Sequence, residues 1–132
     1  VSAQKTNGIP KTYVENEREA SFDLAYLRSV SDNNQDFLQE MIQTFVQSIP
    51  PVLEEMETSI RKKNWKKLST LAHQIKPSFG LMGMDALRKT VSYIEENADQ
   101  KTNLPELVMT TQDFIDDCSR VVDDLQKEIV AS

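Results

Sequence analysis

The chain has 132 residues, 39% apolar and 27% charged, with a net charge of −6 and a pI near 4.8. That length supports one domain with a respectable core, and the acidic balance argues against a binder of nucleic-acid backbones. No apolar run approaches the roughly 20 residues of a bilayer span, no signal peptide is recognisable, and a single cysteine excludes an internal disulfide.

A reducing cytoplasm is the expected compartment. The sequence begins at Val1, not at a methionine, which points to a fragment of a longer protein. Residues 1–20 are polar, contain Gly8 and Pro10 and hold no sustained period. They are expected to be a flexible arm or linker, with the folded domain at 21–132.

The elements that follow all carry helical spacing. A short helix is predicted in SFDLAYLRSVS, with Asp23 as N-cap and Leu24, Leu27 and Tyr26 as apolar contacts. The next helix should start near Asp32, where Gln35 would complete a capping-box variant and Asn33 and Asn34 compete for the cap. Its stripe runs from Leu38 through Met41, Ile42, Phe45, Val46, Ile49, Val52, Leu53 and Met56 to Ile60. The phase persists through Pro50 and Pro51, which predicts one kinked helix and not two.

A charged connection, RKKNWKK, leads to a third helix that Asn64 can cap. Leu68, Leu71, Ala72, Ile75 and Phe79 form its stripe, and Gly80 to Gly83 are expected to break it. A fourth helix should open near Asp85, with Leu87, Val91, Ile94 and Ala98 buried. The segment NADQKTN is predicted as a polar break before Leu104 and Pro105. The last stripe runs from Leu104 to Ile129 and includes Thr111 and Cys118, the latter read as a small buried hydrophobe. No stretch alternates like a strand. Short links make neighbours antiparallel, so the expected fold is all-α: an up-down-up-down four-helix bundle with a short additional N-terminal helix.

His73 is the only histidine. It falls about 130° from the centre of its helix's apolar stripe and should face solvent. Lys76 follows one turn later, and Lys66, Ser69, Thr70, Pro77 and Gly80 project around the same side. A metal site needs three or four convergent ligands, and the sequence offers no second histidine and no Glu-x-x-His, so no metal is expected. A hydrolase triad needs a cleft and an oxyanion hole, which a bundle surface does not provide. A histidine that carries a phosphoryl group needs less: a neutral exposed ring nitrogen, a nearby cation and low relief for a partner that brings the rest.

The run Ala72, His73, Gln74, Ile75, Lys76, with Gly83 ten positions after the histidine, resembles the histidine-containing phosphotransfer (HPt) domain of bacterial phosphorelays. The resemblance covers about Phe22 to Lys127. Pro77 stands where the family commonly has a glycine, which puts the docking contacts in question and leaves the acceptor untouched. The resemblance implies that His73 accepts a phosphoryl group from a receiver-domain aspartate and passes it to another receiver. Lys76 would stabilise charge, and Lys66, Ser69, Thr70, Pro77 and Gly80 would form the docking surface. Gly83 would serve turn geometry.

It further implies a phosphocarrier without kinase activity or a cofactor of its own, with Mg²⁺ on the receiver. A cytoplasmic monomer that binds response regulators and no nucleic acid is expected. It would form the C-terminal module of a hybrid sensor histidine kinase, itself not inserted in a membrane even where the parent kinase is. The alternative is a bundle that binds a receiver or partner helix without phosphorylation. Plainer readings stand beside these. A lone exposed histidine is most often a surface residue, and Arg61, Lys62, Lys63, Lys66 and Lys67 read first as a solvated helix junction. Met82 and Met84 suit packing as well as docking, and Trp65 suits a core anchor.

Overall fold

The computed structural model describes residues 22–131; the arm expected at 1–20 lies outside them. Five helices follow in order: α1 (Leu24–Val30), α2 (Gln35–Arg61), α3 (Trp65–Leu81), α4 (Asp85–Gln100) and α5 (Leu104–Ala131). No strand occurs among the described residues. α2 packs on α3 and α5, α4 packs on α3 and α5, and α1 rests against α2. Along α3 from His73 to Gly80, the facing position on α4 moves back from Glu95 to Arg88, so the two run antiparallel. The result is the up-down-up-down four-helix bundle with a short leading helix.

Each helix forms where its apolar stripe can be buried. Every residue of the α2 stripe named above is buried, and so are Leu68, Leu71, Ala72, Ile75 and Phe79 of α3. At roughly 1.5–3 kcal/mol for each large apolar side chain removed from water, these stripes dominate the favourable side of folding. α2 runs unbroken through Pro50 and Pro51, because the same stripe continues in phase on both sides. Three rings tie the helices at the centre. Phe79 of α3 meets Phe45 of α2 and Phe114 of α5 with centroids 5.5 Å apart in both pairs, edge to face.

The starts and stops differ from the sequence reading at three places. Asn34, not Asp32, caps α2 by accepting from the Phe37 amide at 3.0 Å, because Asp32 and Asn33 are left-handed and belong to the turn. α3 passes through Gly80 to Leu81, and only residues 82–84 break it. The polar segment after α4 is mostly helix, and the break shrinks to residues 101–103. Asn97, expected to be loop, is buried and its Oδ1 accepts from the Thr102 hydroxyl and the Asn103 side-chain Nδ2, so it staples that turn. Trp65 is half-buried against the core's edge and does not anchor it. Asp23 and Asn64 cap α1 and α3 as expected.

One turn geometry closes α1 to α4. A left-handed residue (Asp32, Lys63, Gly83 or Lys101) follows the helix. The next amide then donates back to the carbonyl five residues earlier, as Met84 does to Phe79 at 2.9 Å. Only one of the four left-handed positions is a glycine, and its reason is steric. A Cβ on Gly83 would lie 2.5 Å from the Tyr26 ring of α1. Gly80, in contrast, is helical, and a Cβ there would make an ordinary 3.5 Å contact with Arg88. Gly83→Ala should therefore destabilise the fold by about 1–3 kcal/mol through backbone strain and the Tyr26 clash. Gly80→Ala should stabilise it by up to about 1 kcal/mol. Urea melts of the two variants check the opposite signs, and losses of equal size would contradict this account.

Candidate functional site

α3 presents two chemistries on adjacent positions. Ala72 is fully buried in the core, and the next side chain, His73, is 72% exposed. Lys76 stands one turn on and is partly covered. Lys66, Thr70 and Pro77 are exposed on the same side, while Ser69 and Gly80 lie half-buried toward α4. The sequence reading placed all of these around the imidazole, and the helix brings them together as a low surface. Pro77 lies four residues after His73, so the His73 carbonyl has no amide to accept from at that position; α3 nevertheless continues to Leu81.

The sequence reading missed Glu95 on α4. Its carboxylate binds both principal side chains: Oε2 lies 2.7 Å from His73 Nδ1, and Oε1 accepts from Lys76 Nζ at 2.6 Å. The Glu95 carbonyl accepts from the Ser69 hydroxyl at 3.1 Å, which ties the same point of α4 to the turn of α3 before the histidine. Ser69 is thus occupied with positioning and is not a free docking hydroxyl. A signal was present in the spacing. Positions 73 and 95 lie at equal distances either side of Met84, the last residue of the α3–α4 turn, so an antiparallel hairpin sets them level.

Glu95 is 23% exposed. The Lys76 ammonium holds its carboxyl below the usual carboxylate range, partial burial opposes that, and the His73 hydrogen bond adds to it. An ionised carboxylate can only accept, so the ring nitrogen facing it must carry a proton. In a neutral imidazole the lone pair then sits on the other nitrogen, Nε2. Orienting a ring by a carboxylate on one nitrogen while the other meets the reactant is the arrangement that catalytic triads use. Here the arrangement can do nucleophilic chemistry on a partner's group, with a cation within one turn.

The remaining candidates separate cleanly. Met82 and Met84 are buried and cannot be docking contacts. Cys118 is fully buried in α5, and burial pushes its thiol far above the ordinary range. Among the described residues no three His, Cys, Asp or Glu side chains converge as metal ligands, and no helix is long and apolar enough to cross a membrane.

Comparison with known proteins gives a match to a family model, Hpt domain, over residues 40–130. A search of curated proteins gives no match. Among solved structures, the chain is similar to the HPT domain of a sensor hybrid histidine kinase from Shewanella. That pair is 12% identical with a TM-score of 0.74, covering 85% of this chain and 96% of the other. At that identity the likeness speaks for the fold.

Because the Glu95 carboxyl is held low, its contribution to stability is complete above the usual carboxylate range and is lost as pH falls through its lowered value. Glu95→Gln should cost about 1 kcal/mol at neutral pH. The gap from wild type should then narrow as pH falls below the ordinary carboxylate range. Denaturant melts across that range test it, and a gap that does not narrow would place the effect in packing.

Proposed function

This chain belongs to the Hpt domain family, and from that premise we propose that His73 is its phosphoryl acceptor. Hpt domains are phosphocarriers of two-component signalling that work with response-regulator receivers; they are not kinases. On our reading, His73 takes the group from a receiver aspartate and hands it to a second receiver. The observation that carries this is the exposed imidazole whose Nδ1 is engaged by Glu95 beside Lys76.

The transfer balances simply. The Nε2 lone pair attacks phosphorus and forms the P–N bond. The bond between phosphorus and the aspartyl oxygen breaks, and its electron pair leaves with the carboxylate. The proton on Nδ1 stays, so the phosphorylated ring is cationic, and Glu95 faces that charge at hydrogen-bond distance. Mg²⁺ and the phosphoryl donor come from the receiver, which supplies most of the charge stabilisation. Lys76 adds a cation for the transferring oxygens. The reverse reaction uses the same groups, which suits a carrier. Lys66, Thr70, Pro77 and Gly80 form the surface on which the receiver sits. We also propose a cytoplasmic monomer and, by analogy with the Shewanella domain, a place within a hybrid sensor kinase. The rival reading, a bundle that docks receivers without taking phosphate, fails if the protein is labelled.

The test is incubation with a phosphorylated receiver and Mg²⁺. An acid-labile, alkali-stable label should appear on the wild type. His73→Gln should abolish it and leave helical circular dichroism and melting temperature nearly unchanged. A large loss of stability in this variant would make His73 a structural residue.

Lys76→Ala is expected to slow transfer by about 1–3 kcal/mol of transition-state stabilisation, that is about 5- to 150-fold, while the fold persists. It also frees one Glu95 oxygen, so a small loss of stability accompanies it. Unchanged single-turnover rates would remove Lys76 from the chemistry.

A further inference from the structure

The protein is acidic overall, yet one end of the bundle gathers six exposed cations among its carboxylates, which include Glu57, Asp99 and Glu106. The end of α2, the α2–α3 turn and the first turn of α3 carry Arg61, Lys62, Lys63, Lys66 and Lys67, all exposed, and Lys101 lies in the α4–α5 turn at the same end. Arg61 is engaged by Thr58, and Lys67 reaches Glu55 at 3.5 Å. Lys62, Lys63, Lys66 and Lys101 have no acidic partner among the described residues. The long exposed face of α5 carries the opposite sign, with Asp113, Asp116, Asp123 and Asp124.

The backbone adds a second observation. Lys63 and Lys101 occupy the left-handed positions of their turns, with φ of 56° and 57°. Glycine takes that conformation without steric cost, and a lysine does not. Both turns at this end therefore hold a cation where stability alone would favour glycine. At the opposite end the same position holds Asp32 in the α1–α2 turn and Gly83, set by the approach of Tyr26, in the α3–α4 turn.

Resting on the phosphotransfer reading above, we propose that Lys62, Lys63, Lys66 and Lys101 form the landing surface for a carboxylate-rich face of the receiver, and so fix its orientation on α3. Lys66 stands two turns before His73 on the same face, about 10 Å along the axis, and Lys63 lies about 15 Å away. These separations exceed the screening length of about 8 Å at physiological salt. The cluster therefore acts on approach and orientation, and bond making is left to Lys76 and Glu95. The acidic α5 face repels the same partner, so wrong encounters are short-lived.

The experiment compares wild type with Lys63→Gly/Lys101→Gly in transfer from a phosphorylated receiver, over a range of salt. The double variant should melt at a higher temperature because two strained positions are relieved. Its second-order transfer rate at low salt should fall about three- to tenfold with a shallower salt dependence, and its rate at saturating receiver should not change. Lys89→Gln, at the opposite end, is the control for net charge and should leave the rate unaltered. An unchanged second-order rate in the double variant, or an equal loss in Lys89→Gln, would overturn the landing surface while leaving the carrier intact. A wild type that takes no label from any receiver would overturn the phosphotransfer reading, and this inference with it.

Discussion

Phe79 fixes the rotation of α3, and the rest of the site depends on that. Its ring is held edge-on between Phe45 and Phe114, so α3 cannot turn about its axis without breaking contacts to two other helices. One residue of slip rotates a helix by about 100°. That would carry Ala72, fully buried, into water and turn His73 toward the core. Losing a buried aromatic of this kind costs about 3–5 kcal/mol, a large fraction of a domain's net stability. The exposure of His73 is thus enforced by the core and owes nothing to local preference.

The core was legible in the sequence because burial on a helix is a matter of period. The α2 stripe from Leu38 to Ile60 and the α3 stripe from Leu68 to Phe79 both lie inside, and His73 lies outside for the same reason. Helix ends were less legible. Three neighbouring side chains, Asp32, Asn33 and Asn34, could each cap α2, and the contest is decided by which residues go left-handed. Here Asp32 and Asn33 do so, which leaves the cap to Asn34. Gly80 looked like a stop signal, but a glycine costs a helix only about 1 kcal/mol, less than the burial of Phe79 and Met82 on either side of it can offset.

Glu95 was illegible for a different reason. It sits one step off the Ile94 stripe of α4, as many solvated glutamates do. Nothing within its own helix distinguishes it. Its partners lie on another helix, so its role depends on the register of the α3–α4 hairpin, and register is set by the turn. Lys76 was assigned from its one-turn spacing to His73, and it is indeed close by. The structure shows it already engaged: one carboxylate serves both the ring and the ammonium. Under the proposed chemistry the phosphoryl oxygens must compete with Glu95 for that cation. A carrier gains from such competition, since a group held too firmly would not move on.

That register brings α1 into the account. The Tyr26 ring lies against Gly83 so closely that no side chain fits between them. α1 is short and buries only Leu27 among its residues, yet through this contact it braces the turn that levels position 95 with position 73. The other turns tolerate Asp32, Lys63 and Lys101 at the corresponding left-handed position, because nothing comes so near them. A glycine chosen by the approach of a neighbouring ring, and not by the turn alone, thus links the leading helix to the geometry of the imidazole some 10 residues earlier in the chain, about 15 Å along α3.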